Sequence, residues 1–230
     1  MGMRGCYAYK KGKKAEDLAK HLVDVAECCK EHTLRNPVAI KIAKEYGKHV
    51  DYIKDLIVAS CLLHDIGKAC EHYQKNCDVG CEEFSGHDVR SYKLTATAIQ
   101  RLNWSVEDEV LRTALLVPIL GHHYFQREPN KVKNDLSSVG NIHIWSSCTN
   151  DLPAMLREKK VLFKTQEVKD LIEEVAKLIE RGCIVVGATN ANMLYNELQN
   201  FTSIFWKLAA VAVTAIVNEC DGRVAYVNRR

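Results

Sequence analysis

The chain has 230 residues, of which 47% are hydrophobic and 27% charged, with a formal net charge of +3. That balance excludes an intrinsically disordered chain and supplies a sizeable core, while a charge this small does not by itself mark a nucleic-acid binder. The longest apolar stretch, Leu208–Val217, is shorter than the ~20 residues of a membrane span, and the opening MGMRGCYAYKK turns basic and polar too early for a secretion signal. A cytoplasmic protein without membrane attachment is expected.

Only 4 prolines and 12 glycines interrupt the chain, so long helices are permitted. The first apolar stripe, Leu18, His21, Leu22 and Val25, has helical spacing and turns His21 inward. A second helix is expected after Asn36 and Pro37, and a third from about Tyr52 through Leu63, stopped by Gly67. Residues 76–86 read as a loop, after which Ser85 is placed to cap a helix through Tyr92, Ala96, Ile99 and Leu102. Ser105 with Asp108 suggests a capping box for the next helix, which Pro118 should kink just before Gly121. Residues 130–150 show no clear period and suit extended segments; Thr165–Arg181 is strongly amphipathic. Residues 183–187, CIVVG, read as a short strand before a last helix from about Asn192 to Cys220. There is no internal repeat or convincing linker. The simplest reading is one all-α domain over 1–230, a compact globular helical bundle with room for a small extended segment.

Ten cysteines without a secretion signal are expected to be free, mostly buried thiols. Cys70, Cys77 and Cys81 cluster, but lack the C-x2-C spacing of a zinc knuckle.

The chemistry lies in the histidines. Five of the nine, His21, His64, His87, His122 and His123, fall where helices end or turn inward, and Asp65 and Asp221 accompany them. A histidine and an aspartate side by side at the end of an apolar run need a partner, since burying them unpaired costs several kcal/mol. Imidazole nitrogens and carboxylate oxygens suit Mn, Fe, Co, Ni or Zn, and one bridging carboxylate can hold two such ions. Each residue alone has a plainer explanation, His21 as a core histidine and Asp221 as a helix end; their joint order changes the odds. His32, His49, His72 and His143 have no such context and read as surface or core residues.

The order His21, His64-Asp65, His87, His122-His123, Asp221, with HDIGK at 64–68, FSGH at 84–87 and GHHY at 121–124, resembles the HD superfamily of metal-dependent phosphohydrolases. More narrowly, it resembles the stand-alone HD nuclease of type I CRISPR interference. The resemblance implies a helical bundle around two divalent ions (Mg, Mn, Fe, Co, Ni or related), with a metal-site core over about residues 15–221. His21, His64 and Asp221 would hold one ion, His87, His122 and His123 the other, and Asp65 would bridge them. Asp65 and Lys68 would be the catalytic residues, Lys68 facing a phosphate. Cys220-Asp221 departs from the Ala-Asp common in that family.

The substrate implied by the resemblance is single-stranded nucleic acid, DNA first and RNA second, cut by an endonuclease or exonuclease. A separate CRISPR helicase and an RNA-guided surveillance complex are the implied partners, because the sequence has no G-x-x-x-x-G-K-[ST] phosphate loop for ATP-driven unwinding. Lys68, Tyr124, Arg127, Lys131 and Lys133 are the candidate nucleic-acid contacts; Lys10, Lys11, Lys13 and Lys14 suit a backbone track or solvated surface equally well. The competing readings are an HD-type phosphohydrolase of nucleotides or dinucleotides and a non-catalytic HD binding module. Retention of all seven candidate ligands disfavours the module, and HHYFQREPN lacks the GYP element of cyclic-dinucleotide phosphodiesterases.

Overall fold

A computed structural model describes residues 5–123, 129–186 and 204–230, apart from the side chains of residues 129, 130, 132 and 133. The architecture is helical, as the patterning predicts, with two small antiparallel sheets among the described residues. The chain begins with a hairpin, β1 (Tyr7–Lys11) and β2 (Lys14–Asp17), in which Lys11 faces Lys14. Three helices follow: α1 (Leu18–Arg35), α2 (Val38–Tyr46) and α3 (Val50–Leu63). A 3-10 turn (Ile66–Ala69) and a short α4 (Glu71–Gln74) lead to α5 (His87–Arg101). The chain continues through α6 (Glu109–Leu111), a π-helical turn (Arg112–Leu116), α7 (Val117–Gly121) and α8 (Pro129–Ser138). It ends with β3 (Ile142–His143), α9 (Cys148–Lys159), α10 (Gln166–Glu180), β4 (Cys183–Ile184) and α11 (Ile204–Asn228).

The middle of the bundle is α3. Every residue from Asp55 to Cys70 is buried, because α1, α2, α10, α11 and the π turn with α7 pack around α3. Asp55 shows how such a segment carries charge: its Oδ2 accepts hydrogen bonds from Lys164 N at 2.8 Å, Thr165 N at 2.7 Å and Thr165 Oγ1 at 2.8 Å. The buried carboxylate thus holds the backbone entering α10 together with the hydroxyl of Thr165, its N-cap residue.

Several local expectations are corrected. Gly67 does not end α3 through a left-handed cap; its φ is not positive, and the helix ends at Leu63 before running into the 3-10 turn. Its role is close approach. A Cβ on Gly67 would lie 2.3 Å from His87 O and 2.7 Å from Ser91 N, and Gly67 N donates to Ser91 Oγ at 2.8 Å. Ser85 does not cap α5; Gly86 does, at φ 82°, a left-handed turn that glycine adopts without strain. Asp108, rather than Ser105, is the N-cap of α6, accepting from Val110 N and Leu111 N. Pro118 falls in the first turn of α7, directly after the π turn. Residues 130–150 are largely helical, with β3 as the extended piece, paired to β4 through Ile142 and Ile184. The last helix continues past Cys220 to Asn228, so Asp221 lies within it; residues 187–203, including the expected helix start at Asn192, fall outside the described residues.

The cysteine expectation is also overturned. Eight are paired, as Cys6–Cys148, Cys28–Cys220, Cys29–Cys61 and Cys77–Cys81, leaving Cys70 buried and Cys183 exposed as thiols. Two of the bridges join residues 142 and 192 positions apart, each worth about 5 kcal/mol in the chain-entropy account of cross-linking. Among the described residues, no helix is long and apolar enough to cross a membrane.

Gly67→Ala tests the close approach. Its added methyl meets backbone atoms that cannot rotate away, so unfolding in denaturant should show a loss of about 3 kcal/mol. Gly140→Ala, with nothing within 4 Å of its Cβ, should change stability little.

Candidate metal centre

The sequence delivers its histidines from separate elements to one point. His21 projects from the inward face of α1, His64 and Asp65 follow the end of α3, and Lys68 sits on the 3-10 turn. His87 is the first residue of α5, His122 and His123 follow α7, and Asp221 comes from α11. The tight packing at Gly67 sets the turn against the start of α5, which brings His87 to Asp65. Gln74 fastens the hairpin to the same turn, donating from Nε2 to Lys68 O at 2.7 Å and to Tyr7 O at 2.8 Å.

Asp65 is at the centre, with no exposed surface. Its two oxygens face different groups. Oδ2 lies 3.3 Å from His21 Nε2 and 3.4 Å from His64 Nε2; Oδ1 lies 2.7 Å from His87 Nε2 and 3.4 Å from His122 Nε2. Asp221 Oδ1 completes the first side at 3.2 Å from His21 Nε2 and 3.8 Å from His64 Nε2. His123 joins the second side, its ring centroid 4.2 Å from that of His122 and 4.9 Å from that of His87. Two donor sets result, His21, His64, Asp65 and Asp221, and Asp65, His87, His122 and His123, each with its donor atoms within 4.8 Å of one another.

The outward nitrogens are anchored. His64 Nδ1–H donates to Cys61 O at 2.7 Å and His122 Nδ1–H to Ile119 O at 2.7 Å; His87 Nδ1–H donates to Phe84 O. Each acceptor is the carbonyl three residues earlier. His21 differs, because its Nδ1–H donates to the Glu16 carboxylate at 2.8 Å. Anchoring Nδ1 leaves Nε2 as the inward nitrogen, the arrangement that orients metal-binding imidazoles. Nε2 of His21 and of His64 and both oxygens of Asp65 are buried without a properly directed hydrogen-bond partner. On the first side these orphaned atoms point at a common position and fit a divalent ion; on the second, His87 Nε2 and His122 Nε2 lie 3.2 Å apart beside Asp65 Oδ1, and the chemistry of that donor set fits another.

The two sides differ electrically. Burial works against the charged form of His21, but the carboxylates of Asp221, Asp65 and Glu16 outweigh it and raise its pKa to about 10. Burial likewise opposes the charged form of His64, and Asp65 and Asp221 raise its pKa to about 9. On the other side burial lowers the pKa of His122, and burial with the neighbouring His122 and His87 brings His123 down to about 4. Burial would push Asp65 and Asp221 up; the surrounding cations, Lys68 first for Asp65 and His21 first for Asp221, hold both well below the usual carboxylate range.

Lys68 is nearly buried, its Nζ 2.5 Å from Asp65 Oδ2 and 5.2 Å from the centre of the Phe84 ring. A cleft of about 510 Å³ opens above it, lined among others by Phe84, His87, His123, Asp221 and Arg229. Of the remaining nucleic-acid candidates, Lys131 is exposed on α8, while Tyr124, Arg127 and the side chain of Lys133 lie outside the described residues. Lys11 pairs with Glu82 at 2.8 Å.

Sequence reasoning missed Glu16 and the two residues that hold it. Glu16 is buried, accepting from Asn228 Nδ2 at 3.1 Å and Arg229 Nε at 2.8 Å, and burial, which raises its pKa, is overridden by His21 and Arg229, which bring it to about 2. An acidic residue five positions before a candidate metal-binding histidine was the available signal.

Residues 8–215 match the family model described as Cas3, HD domain, a span that contains every candidate ligand except Asp221. No curated protein matches the chain.

The asymmetry predicts different proton release. In the metal-free fold His21 and His64 keep their Nε2 protons at neutral pH, a stabilisation fully present below the ordinary histidine pKa and lost as pH rises through about 9 and 10. A metal at their side must displace both protons, whereas His122 and His123 arrive neutral. Calorimetric metal titrations at neutral pH, in buffers of different ionisation enthalpy, should show one binding phase that releases protons and one that releases almost none. Glu16→Gln should weaken the proton-releasing phase by roughly 10- to 100-fold and leave the other unchanged.

Proposed function

This chain belongs to the Cas3 HD-domain family, and we propose that it cuts single-stranded DNA in CRISPR antiviral defence, using two divalent ions. Family membership makes it a CRISPR-associated, metal-dependent hydrolase of the nuclease kind. The division of the two Asp65 oxygens between two sets of inward nitrogens carries the finer reading. In it His21, His64 and Asp221 hold one ion, His87, His122 and His123 the other, and Asp65 both. When bound, such ions supply Lewis-acid stabilisation of the phosphoryl charge and an activated water.

The chain's own residues do the positioning. Asp65 fixes the spacing of the two sides, and the Nδ1 anchors keep the imidazoles from turning. Lys68 is the phosphate-facing cation, since its ammonium has no lone pair to give a metal and it lines the cleft. Arg229 adds a second cation at the same opening while supporting Glu16. A buried floor under a cleft of about 510 Å³ favours an unpaired strand, whose single backbone bends inward more easily than that of a duplex. Tyr124, Arg127, Lys131 and Lys133 are assigned to the path of that strand. Strand separation is assigned, as the family likeness suggests, to a separate CRISPR helicase acting with an RNA-guided surveillance complex in the cytoplasm. Residues 1–230 are read as one nuclease unit, since the ligands run from the first helix to the last.

Circular single-stranded DNA is the discriminating substrate, because an exonuclease cannot begin on it. Metal-loaded protein should linearise the circle, and Lys68→Ala should slow single-turnover cleavage by roughly 10- to 1000-fold with unchanged metal stoichiometry. An intact circle alongside rapid turnover of nucleotides or dinucleotides would favour the small-molecule phosphohydrolase instead.

A further inference from the structure

Among the described residues, three clusters bring three or more metal-binding side chains within 4.8 Å of one another, and two of them share Asp65. The third is Cys28, His32 and Cys220, which the proposed chemistry does not use. Cys28 and His32 are four residues apart on α1 and therefore share a face; Cys220 is on α11, with a Cα–Cα separation of 5.7 Å from Cys28. His32 Nε2 lies 3.3 Å from Glu219 Oε1, which brings a carboxylate to the rim. The cluster is layered: Cys220 is fully buried, Cys28 and His32 are partly exposed, and Glu219 is open to solvent.

We propose that this cluster is a third metal site, taking a thiophilic divalent cation such as zinc when the Cys28–Cys220 disulfide is reduced. Two thiolates, an imidazole and a carboxylate or water make a four-coordinate set that zinc favours over the harder ions suited to oxygen donors. Two sulfurs bound tetrahedrally at about 2.3 Å sit roughly 3.8 Å apart, so breaking the disulfide and rotating the side chains suffices without moving either helix. The chemistry balances. Two molecules of a small-molecule thiol reduce the bond by exchange, leaving joined as their own disulfide and passing two electrons and two protons to Cys28 and Cys220, and metal binding releases those protons. A small-molecule disulfide reverses it: the two thiolates take its place as a disulfide, two small thiolates leave, and the cation is freed.

The position gives the site its consequence. Cys220 precedes Asp221, and Cys28 follows His21 by seven residues on the same helix, so a bond between α1 and α11 lies beside one of the donor sets around Asp65. Disulfide and metal are two ways of keeping that bond under opposite redox conditions.

Cobalt reports on this site separately from the other two, because thiolate-to-cobalt charge transfer absorbs in the near ultraviolet and neither donor set around Asp65 contains a cysteine. Protein reduced with a trialkylphosphine, which ends as the phosphine oxide, should gain this band on adding cobalt; the oxidised protein should not. Cys28→Ser should abolish the band and Cys77→Ser should keep it. His32→Ala, a partly exposed change that avoids the core, should weaken cobalt binding there by more than the roughly 10-fold that loss of a supporting group already causes. Adding a small disulfide should bleach the band and release one cobalt per chain. No band after reduction, a band that survives Cys28→Ser, or an unchanged affinity in His32→Ala would each overturn the proposal.

Discussion

One carboxylate without solvent contact organises this protein. Asp65 sits at 0% exposure with both oxygens lacking a well-directed hydrogen bond, an arrangement that costs several kcal/mol unless positive charge compensates it. Lys68 and the surrounding imidazoles supply that charge in the metal-free fold, with Lys68 Nζ 2.5 Å from Oδ2. The bundle around it serves the same end. The buried run from Asp55 to Cys70 fixes where the carboxylate stands, the contact at Gly67 brings α5 against it, and α1, α7 and α11 add the other imidazoles and Asp221.

The two sides of Asp65 are built differently. One carries Asp221, with Glu16 behind His21, so it is rich in negative charge and holds protons until a cation replaces them. The other is imidazole on imidazole, with burial and neighbouring rings keeping His122 and His123 neutral. In the proposed reading the carboxylate-rich side would suit an oxygen-preferring divalent ion and the imidazole-rich side a borderline one. The chain from Arg229 through Glu16 to His21 also joins the cleft wall to the donor set, so one residue serves both the mouth of the site and the orientation of an inward imidazole.

The features legible in the sequence were those with local period or fixed order. The stripe at Leu18, His21, Leu22 and Val25 gives α1 and the direction of His21, and the amphipathic pattern at 165–181 gives α10 within a residue at each end. Histidine order gathers residues that the fold then brings together, although it carries no distances. What was not legible depends on partners far away in the chain. Nothing local says that Asp55 satisfies the start of α10 across 110 residues, or that Cys28 pairs with Cys220 across 192. Gly67 has the look of a helix stop when its value is the absence of a Cβ, and nothing local to His32 and Cys28 on α1 announces Cys220 and Glu219, which reach them from α11. The helix at 129–138 escaped notice because it is mostly polar and, among its described side chains, buries only Leu136.

The central claim is that Asp65 is shared by two ions, and anomalous X-ray scattering from a crystal soaked in manganese tests it directly. The account predicts two anomalous peaks flanking the Asp65 carboxylate, one beside His21, His64 and Asp221 and the other beside His87, His122 and His123. A single peak, or two peaks of which neither contacts Asp65, would contradict it.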